Sequence, residues 1–162
     1  MENQIYVLAE RAGRLLARHK ILLVTAESCT GGWIAEAITA VAGSSTWFER
    51  GFVSYSNQAK QDMLGVSADI LNRCGAVSEE VVLEMARGAI QRSKGHISVA
   101  VSGIAGPDGG TEDKPVGTVW IAWGQKLGHA EAEVFRFSGD RHAVREQTVI
   151  RALQGLIARM GG

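Results

Sequence analysis

Ser28 opens the run Ser28-Cys29-Thr30-Gly31-Gly32, where a hydroxyl and a thiol precede a glycine pair and a helix-forming stretch. A hydroxyl at a helix start lies beside backbone N–H groups that have no intrahelical acceptor, and such groups favour developing negative charge. That is the environment of a nucleophile next to an oxyanion hole, with the N–H groups around Thr30 and Gly31 as donors. Ser and Thr also cap helices routinely, so a purely capping Ser28 or Thr30 is the competing explanation. The glycines weigh against it: in a first helical turn each costs on the order of 1 kcal/mol relative to alanine, and a cap does not require them. Cys29 shares the helix terminus and is a rival nucleophile, or else a small buried apolar residue.

A serine hydroxyl needs a base. His19, His96, His129 and His142 are scattered, and none forms a local signature with a serine and an acid, although a fold can assemble what the chain separates. The other base is a lysine kept neutral by its surroundings. Tyr55 and Lys60 are the residues in question, one ending an apolar segment and the other in the first turn of the helix that follows. Their plain alternative is a half-buried strand aromatic and a solvated helix cation. A second glycine-rich loop, Ser102 to Thr111, fits neither the phosphate-loop nor the dinucleotide pattern, and its Ser102 and Gly103 can supply the wall facing Ser28. Ser138-Gly139-Asp140-Arg141 opens the last helix and offers N–H groups with Arg141 and Arg145 to an anion, or else a capping Asp140 with solvated arginines. The acids Asp108, Glu112 and Asp113 lack histidine partners and calcium-loop spacing, so neither a metal nor a cofactor is expected.

These residues must be held by regular elements. Ile5, Leu8, Ala12, Leu15 and Leu16 follow a helical rhythm that ends in Arg18, His19 and Lys20. Ile21 to Thr25 reads as a buried strand feeding the Ser28 turn, followed by a helix from Trp33 to Val41. Gly51 to Ser56 reads as a strand, Asn57 as the cap of a helix through Leu64, and Ser67 to Arg73 as a further helix. Ser78 with Glu79 and Glu80 opens a long helix reaching Lys94. Ile97 to Val101 is a buried strand, Val116 to Trp123 and Glu131 to Phe137 form a hairpin, and Asp140 to Arg159 closes the chain as a helix. The pattern predicts an α/β fold, a single domain over residues 1–162 with a central mixed sheet covered by helices.

Composition narrows the function. Lys plus Arg number 17 and Asp plus Glu number 17, so no basic excess exists for a phosphate backbone, and nucleic acid is not the expected partner. No apolar run approaches the ~20 residues of a membrane span, and no secretory signal is visible, so a cytoplasmic location is expected. Cys29 and Cys74, 45 positions apart, suit reduced thiols. The 20 glycines of 162 residues exceed the usual ~7% and cluster in loops, which points to backbone lying close to a small ligand.

The stretches AESCTGGW (Ala26 to Trp33), GSSTWFERGFVSYSNQAK (Gly43 to Lys60), GAVSEE (Gly75 to Glu80), SGIAGPDGG with KPVGTVW (Ser102 to Trp120) and FSGDR with VR (Phe137 to Arg145) resemble the CinA C-terminal domain family. The resemblance spans nearly the whole chain. It implies hydrolysis of the carboxamide of nicotinamide mononucleotide to nicotinate mononucleotide and ammonia. It also implies Ser28 as nucleophile, with Tyr55 and Lys60 completing the catalytic set. On this reading Lys60, helped by Tyr55, takes the Ser28 proton, while Thr30, Gly31, Ser102, Gly103 and Arg141 bind the substrate or its oxyanion. A homo-oligomer, in the simplest case a dimer, is the expected assembly. Two alternatives remain: a module of the same fold that senses a pyridine nucleotide without turning it over, and an amidase that uses Cys29.

Overall fold

A computed structural model describes residues 2–162. Helix α1 (Glu2–His19) lays Ile5, Ala9, Ala12 and Leu16 on one buried stripe, the spacing that a 3.6-residue period imposes. It is followed by β1 (Leu23–Glu27), α2 (Trp33–Thr39), β2 (Phe48–Val53), α3 (Asn57–Leu64), α4 (Ala68–Cys74) and α5 (Glu79–Gln91). Strands β3 (Ile97–Gly103), β4 (Thr118–Gln125) and β5 (Ala130–Arg136) and helix α6 (Arg141–Arg159) complete the chain. The sheet runs β2-β1-β3-β4-β5. β1 is parallel to both β2 and β3, whereas β4 is antiparallel to β3 and β5, so the sheet is mixed as the element pattern predicts.

Side-chain alternation sorts the strands between two helical layers. Leu23, Ile97, Val99, Val101, Val119, Ile121 and Trp123 join the core under α1, α2 and α6. Val24, Ala26, Ala100 and Ala122 join a second core with Val81, Val82 and Met85 of α5 and Leu64 of α3. The alanines on that face let the helices come close. At Gly88 of α5 an added Cβ would sit 2.0 Å from the Leu64 carbonyl oxygen, so α3 and α5 meet backbone to backbone. That contact brings α3 to the carboxyl end of β1.

Several element boundaries differ from the sequence expectation, among them those of β1, α5, β2 and β4, the last being Thr118–Gln125 rather than Val116 to Trp123. β1 begins at Leu23 rather than Ile21 and runs on through Glu27, and α5 ends at Gln91, short of Lys94. β2 is Phe48–Val53 rather than Gly51–Ser56. Gly51 lies inside this strand, paired with Thr25, where a Cβ would stand 2.6 Å from the Thr25 hydroxyl oxygen. The glycine marks a close approach between strands, not a strand start. No helix among the described residues is long and apolar enough to cross a membrane.

Candidate active site

The parallel register sets Glu27 beside Val101, and the Ser28 N–H donates to the Val101 carbonyl at 3.1 Å, so Ser28 sits where β1 and β3 end together. Ligands collect at such carboxyl ends in open α/β sheets. Alternation turns Glu27 toward α2 and Ser28 toward α3. Lys60 comes from α3. Its Nζ lies 2.9 Å from Ser28 Oγ, 2.9 Å from the Ser54 carbonyl and 3.0 Å from the Tyr55 carbonyl, and the residue is only 1% exposed.

Two of these three neighbours can only accept hydrogen bonds, and the third is a hydroxyl that can also donate. Nζ donates to all three oxygens, and the Ser28 O–H donates to the Tyr55 carbonyl at 3.3 Å; loss of one proton from Nζ leaves a lone pair 2.9 Å from Ser28 Oγ. Burial pushes the Lys60 amine down from 10.5 to about 8. A Cys29 thiolate would raise it again, but burial pushes that thiol up to about 12, so at neutral pH the sulfur keeps its proton. This argues against Cys29 as the nucleophile.

Lys60 is the fourth residue of α3, not the third, because Ser56 rather than Asn57 is the cap: its Oγ accepts the Ala59 N–H at 3.0 Å. The positive end of α3 still faces the amine.

A cleft of about 230 Å³ opens here, and its wall includes Ser28, Cys29, Tyr55, Lys60, Ser102, Gly103 and Arg141. The structure therefore brings together Ser28, Tyr55, Lys60, Ser102, Gly103 and Arg141, with the rival Cys29 beside them. Ser102 is 2% exposed, and its hydroxyl has no protein partner among the described residues. Arg141 donates to the Gly106 carbonyl at 2.9 Å and to the Tyr55 phenol oxygen at 3.3 Å. The Tyr55 ring is thus turned to Arg141 at the cleft rim, and what this residue offers Lys60 is its main-chain carbonyl. A larger depression, about 440 Å³ at the opposite end of the sheet, is lined by His19, His96, Lys126 and Arg159 and contains no serine, threonine or cysteine. No histidine lines the Ser28 cleft.

Thr30 and Gly31 do not line the cleft. The helix starts at Trp33, with Gly32 as its cap, so the turn from Ser28 to Gly32 precedes the helix instead of forming its first turn. Gly31 and Gly32 have φ of 61° and 104°, and this left-handed backbone is what requires glycine. The Gly31 N–H donates to the Ser28 carbonyl at 3.1 Å and is already used. The N–H groups of Cys29 and Thr30 have no acceptor among the described residues.

Sequence reasoning missed Glu27. This carboxylate, 1% exposed, accepts from the Thr30 hydroxyl and from the N–H groups of Ile34 at 2.9 Å and Ala35 at 3.0 Å. The available signal was an acid terminating an apolar strand, since a buried charge must be paired or hydrogen-bonded.

The chain belongs to the CinA C-terminal domain family, whose model matches residues 5–160. It is 52% identical, over 96% of this chain and 94% of the relative, to the nicotinamide-nucleotide amidohydrolase PncC of Escherichia coli (strain K12). It is 56% identical, over 96% of each chain, to the protein of that name from Pseudomonas putida. Among solved structures, it superposes on the competence/damage inducible protein CihA from Agrobacterium tumefaciens with a TM-score of 0.94 and 45% identity, covering 98% of this chain and 96% of that one.

Proposed function

We propose that this protein hydrolyses the carboxamide of nicotinamide mononucleotide, with Ser28 as nucleophile and Lys60 as its base. The observation that carries the reading is the Lys60 amine: buried, 2.9 Å from the Ser28 hydroxyl, and otherwise surrounded by two carbonyls. The names of its relatives in Escherichia coli and Pseudomonas putida support the substrate class.

Lys60 Nζ takes the Ser28 proton as Oγ bonds to the amide carbon, and the oxyanion that forms is met by the N–H of Cys29, a residue of the cleft wall. The ammonium of Lys60 then returns its proton to the amide nitrogen, the C–N bond breaks, and ammonia leaves an ester on Ser28. Water gives a proton to Lys60 and attacks the ester carbon. The bond between the acyl carbon and Ser28 Oγ breaks, Oγ recovers the proton from Lys60, and nicotinate mononucleotide is released. A cleft of about 230 Å³ is below the ~300–1,000 Å³ that surrounds a drug-sized ligand. It suits the pyridine carboxamide, with the ribose phosphate lying along the rim by Arg141. Ser102, buried and unpartnered, faces the amide from β3.

The test is ammonia release from nicotinamide mononucleotide by the purified protein. Turnover supports the reading; tight binding of the nucleotide without ammonia contradicts it and selects the sensing alternative.

A further inference from the structure

Arg145 lies one turn beyond Arg141 on α6, yet it is not part of the cleft wall. Its Nε donates to the Cys29 carbonyl at 3.1 Å and its Nη2 to the Thr30 carbonyl at 3.1 Å. A guanidinium presents this edge as a rigid fork, usually to the two oxygens of a carboxylate. Here two successive main-chain carbonyls of the nucleophile turn fill it. The guanidinium carbon also lies 5.5 Å from the centre of the Trp33 ring, and Trp33 packs against His142 at 5.3 Å, so the fork is held in place.

In a trans peptide the N–H points away from the C=O of the same unit. Holding the Cys29 carbonyl therefore fixes the plane of the Cys29–Thr30 peptide beside Ser28. Holding the Thr30 carbonyl fixes the Gly31 N–H, which closes onto the Ser28 carbonyl at 3.1 Å and so directs the Cys29 N–H at the other side of that peptide, on a residue of the cleft wall. A cationic donor on a carbonyl also polarises the amide and strengthens its N–H as a donor.

We infer that Arg145 is a positioning residue for the oxyanion: by holding the Cys29 and Thr30 carbonyls it locks the turn carrying Ser28 and, through the Gly31 N–H on the Ser28 carbonyl, aims the Cys29 N–H. This rests on the amidase reading above. It gives Arg145 a task distinct from binding the anionic end of the substrate, which falls to the rim where Arg141 stands.

The experiment compares wild type, Arg145→Gln and Arg145→Lys on nicotinamide mononucleotide and on its thioamide analogue, with thermal unfolding of each protein as control. Removing a whole oxyanion donor costs about 10²- to 10³-fold in kcat, so misaiming one predicts a loss of about 10- to 100-fold for the amide in Arg145→Gln, with KM nearly unchanged. Sulfur is a weak hydrogen-bond acceptor, so thioamide turnover falls much less and the amide-to-thioamide ratio narrows. Arg145→Lys keeps the charge and the stem, reaches one carbonyl, and narrows the ratio partway; it carries the test if the glutamine variant does not fold. An unchanged ratio in a folded variant, or a loss confined to KM, overturns the inference. A wild-type protein that turns over neither compound contradicts the amidase reading instead.

Discussion

Glu27 and Lys60 are both about 1% exposed and both border Ser28, but the two faces of the sheet treat their charges in opposite ways. On the α2 face the Glu27 carboxylate collects a hydroxyl and two main-chain N–H groups at the positive end of a helix. On the α3 face Lys60 meets three uncharged oxygens and joins no ion pair among the described residues, with the positive end of α3 behind it. Glu27 is satisfied by its three donors and fixes the turn. Lys60 is held against its charge, and a group strained in that way is poised to exchange a proton near neutrality. The difference separates a buried ion that builds a site from one that reacts in it.

Ser28→Ala removes the atom between the two faces and breaks the comparison outright. The account predicts a loss in kcat of about 10⁴-fold or more with nucleotide binding retained, read by ammonia release and by titration calorimetry.

Lys60→Met comes next, with a loss of about 10²- to 10⁴-fold, and Lys60→Arg gives no rescue because a guanidinium stays protonated. Lys60→Met also sharpens the contrast in stability. The folded-state value of about 8 lies below the ordinary 10.5, so between those pH values the unfolded chain binds more protons than the folded one. Wild-type stability therefore rises with pH across that window. Below it Lys60 costs the fold on the order of 2 kcal/mol, allowing for water at the cleft side. The inactive methionine variant should melt above wild type at neutral pH and lose that advantage as pH climbs, which denaturation at several pH values will show.

Glu27→Gln should go the other way. A glutamine offers one acceptor oxygen where Ile34 and Ala35 need two, so the fold should lose about 1–3 kcal/mol in chemical denaturation. Arg141→Ala, at the rim, is the smallest change: the preference for nucleotide over nucleoside should narrow about tenfold in kcat/KM, as one charge-assisted contact is lost.

Features carried by local chemistry were legible in the sequence. The caps at Ser78 and Asp140 bond N–H groups three residues on, at Val81 and Ala143, and the hairpin of β4 and β5 follows alternation and its turn. The cleft was legible as a set of residues, since the turns after β1 and β3 are glycine-rich and the family motifs mark Ser28, Tyr55 and Lys60. What escaped depends on contacts between distant parts of the chain. Arg145 reaches Cys29 across 116 positions, and nothing in its own helix distinguishes it from Arg141. Tyr55 acts on Lys60 through a carbonyl, a group every residue has. The start of β2 was misplaced because Gly51 is there for Thr25 on the neighbouring strand, which only the pairing reveals.

The central claim is that a neutral Lys60 activates Ser28, and the most direct measurement is the pH dependence of kcat/KM for nicotinamide mononucleotide. The account predicts a rise through a single group near 8 to a plateau, in line with the depressed Lys60 amine. A profile flat across that region, or one rising near the ~6.5 of an ordinary histidine, would contradict it.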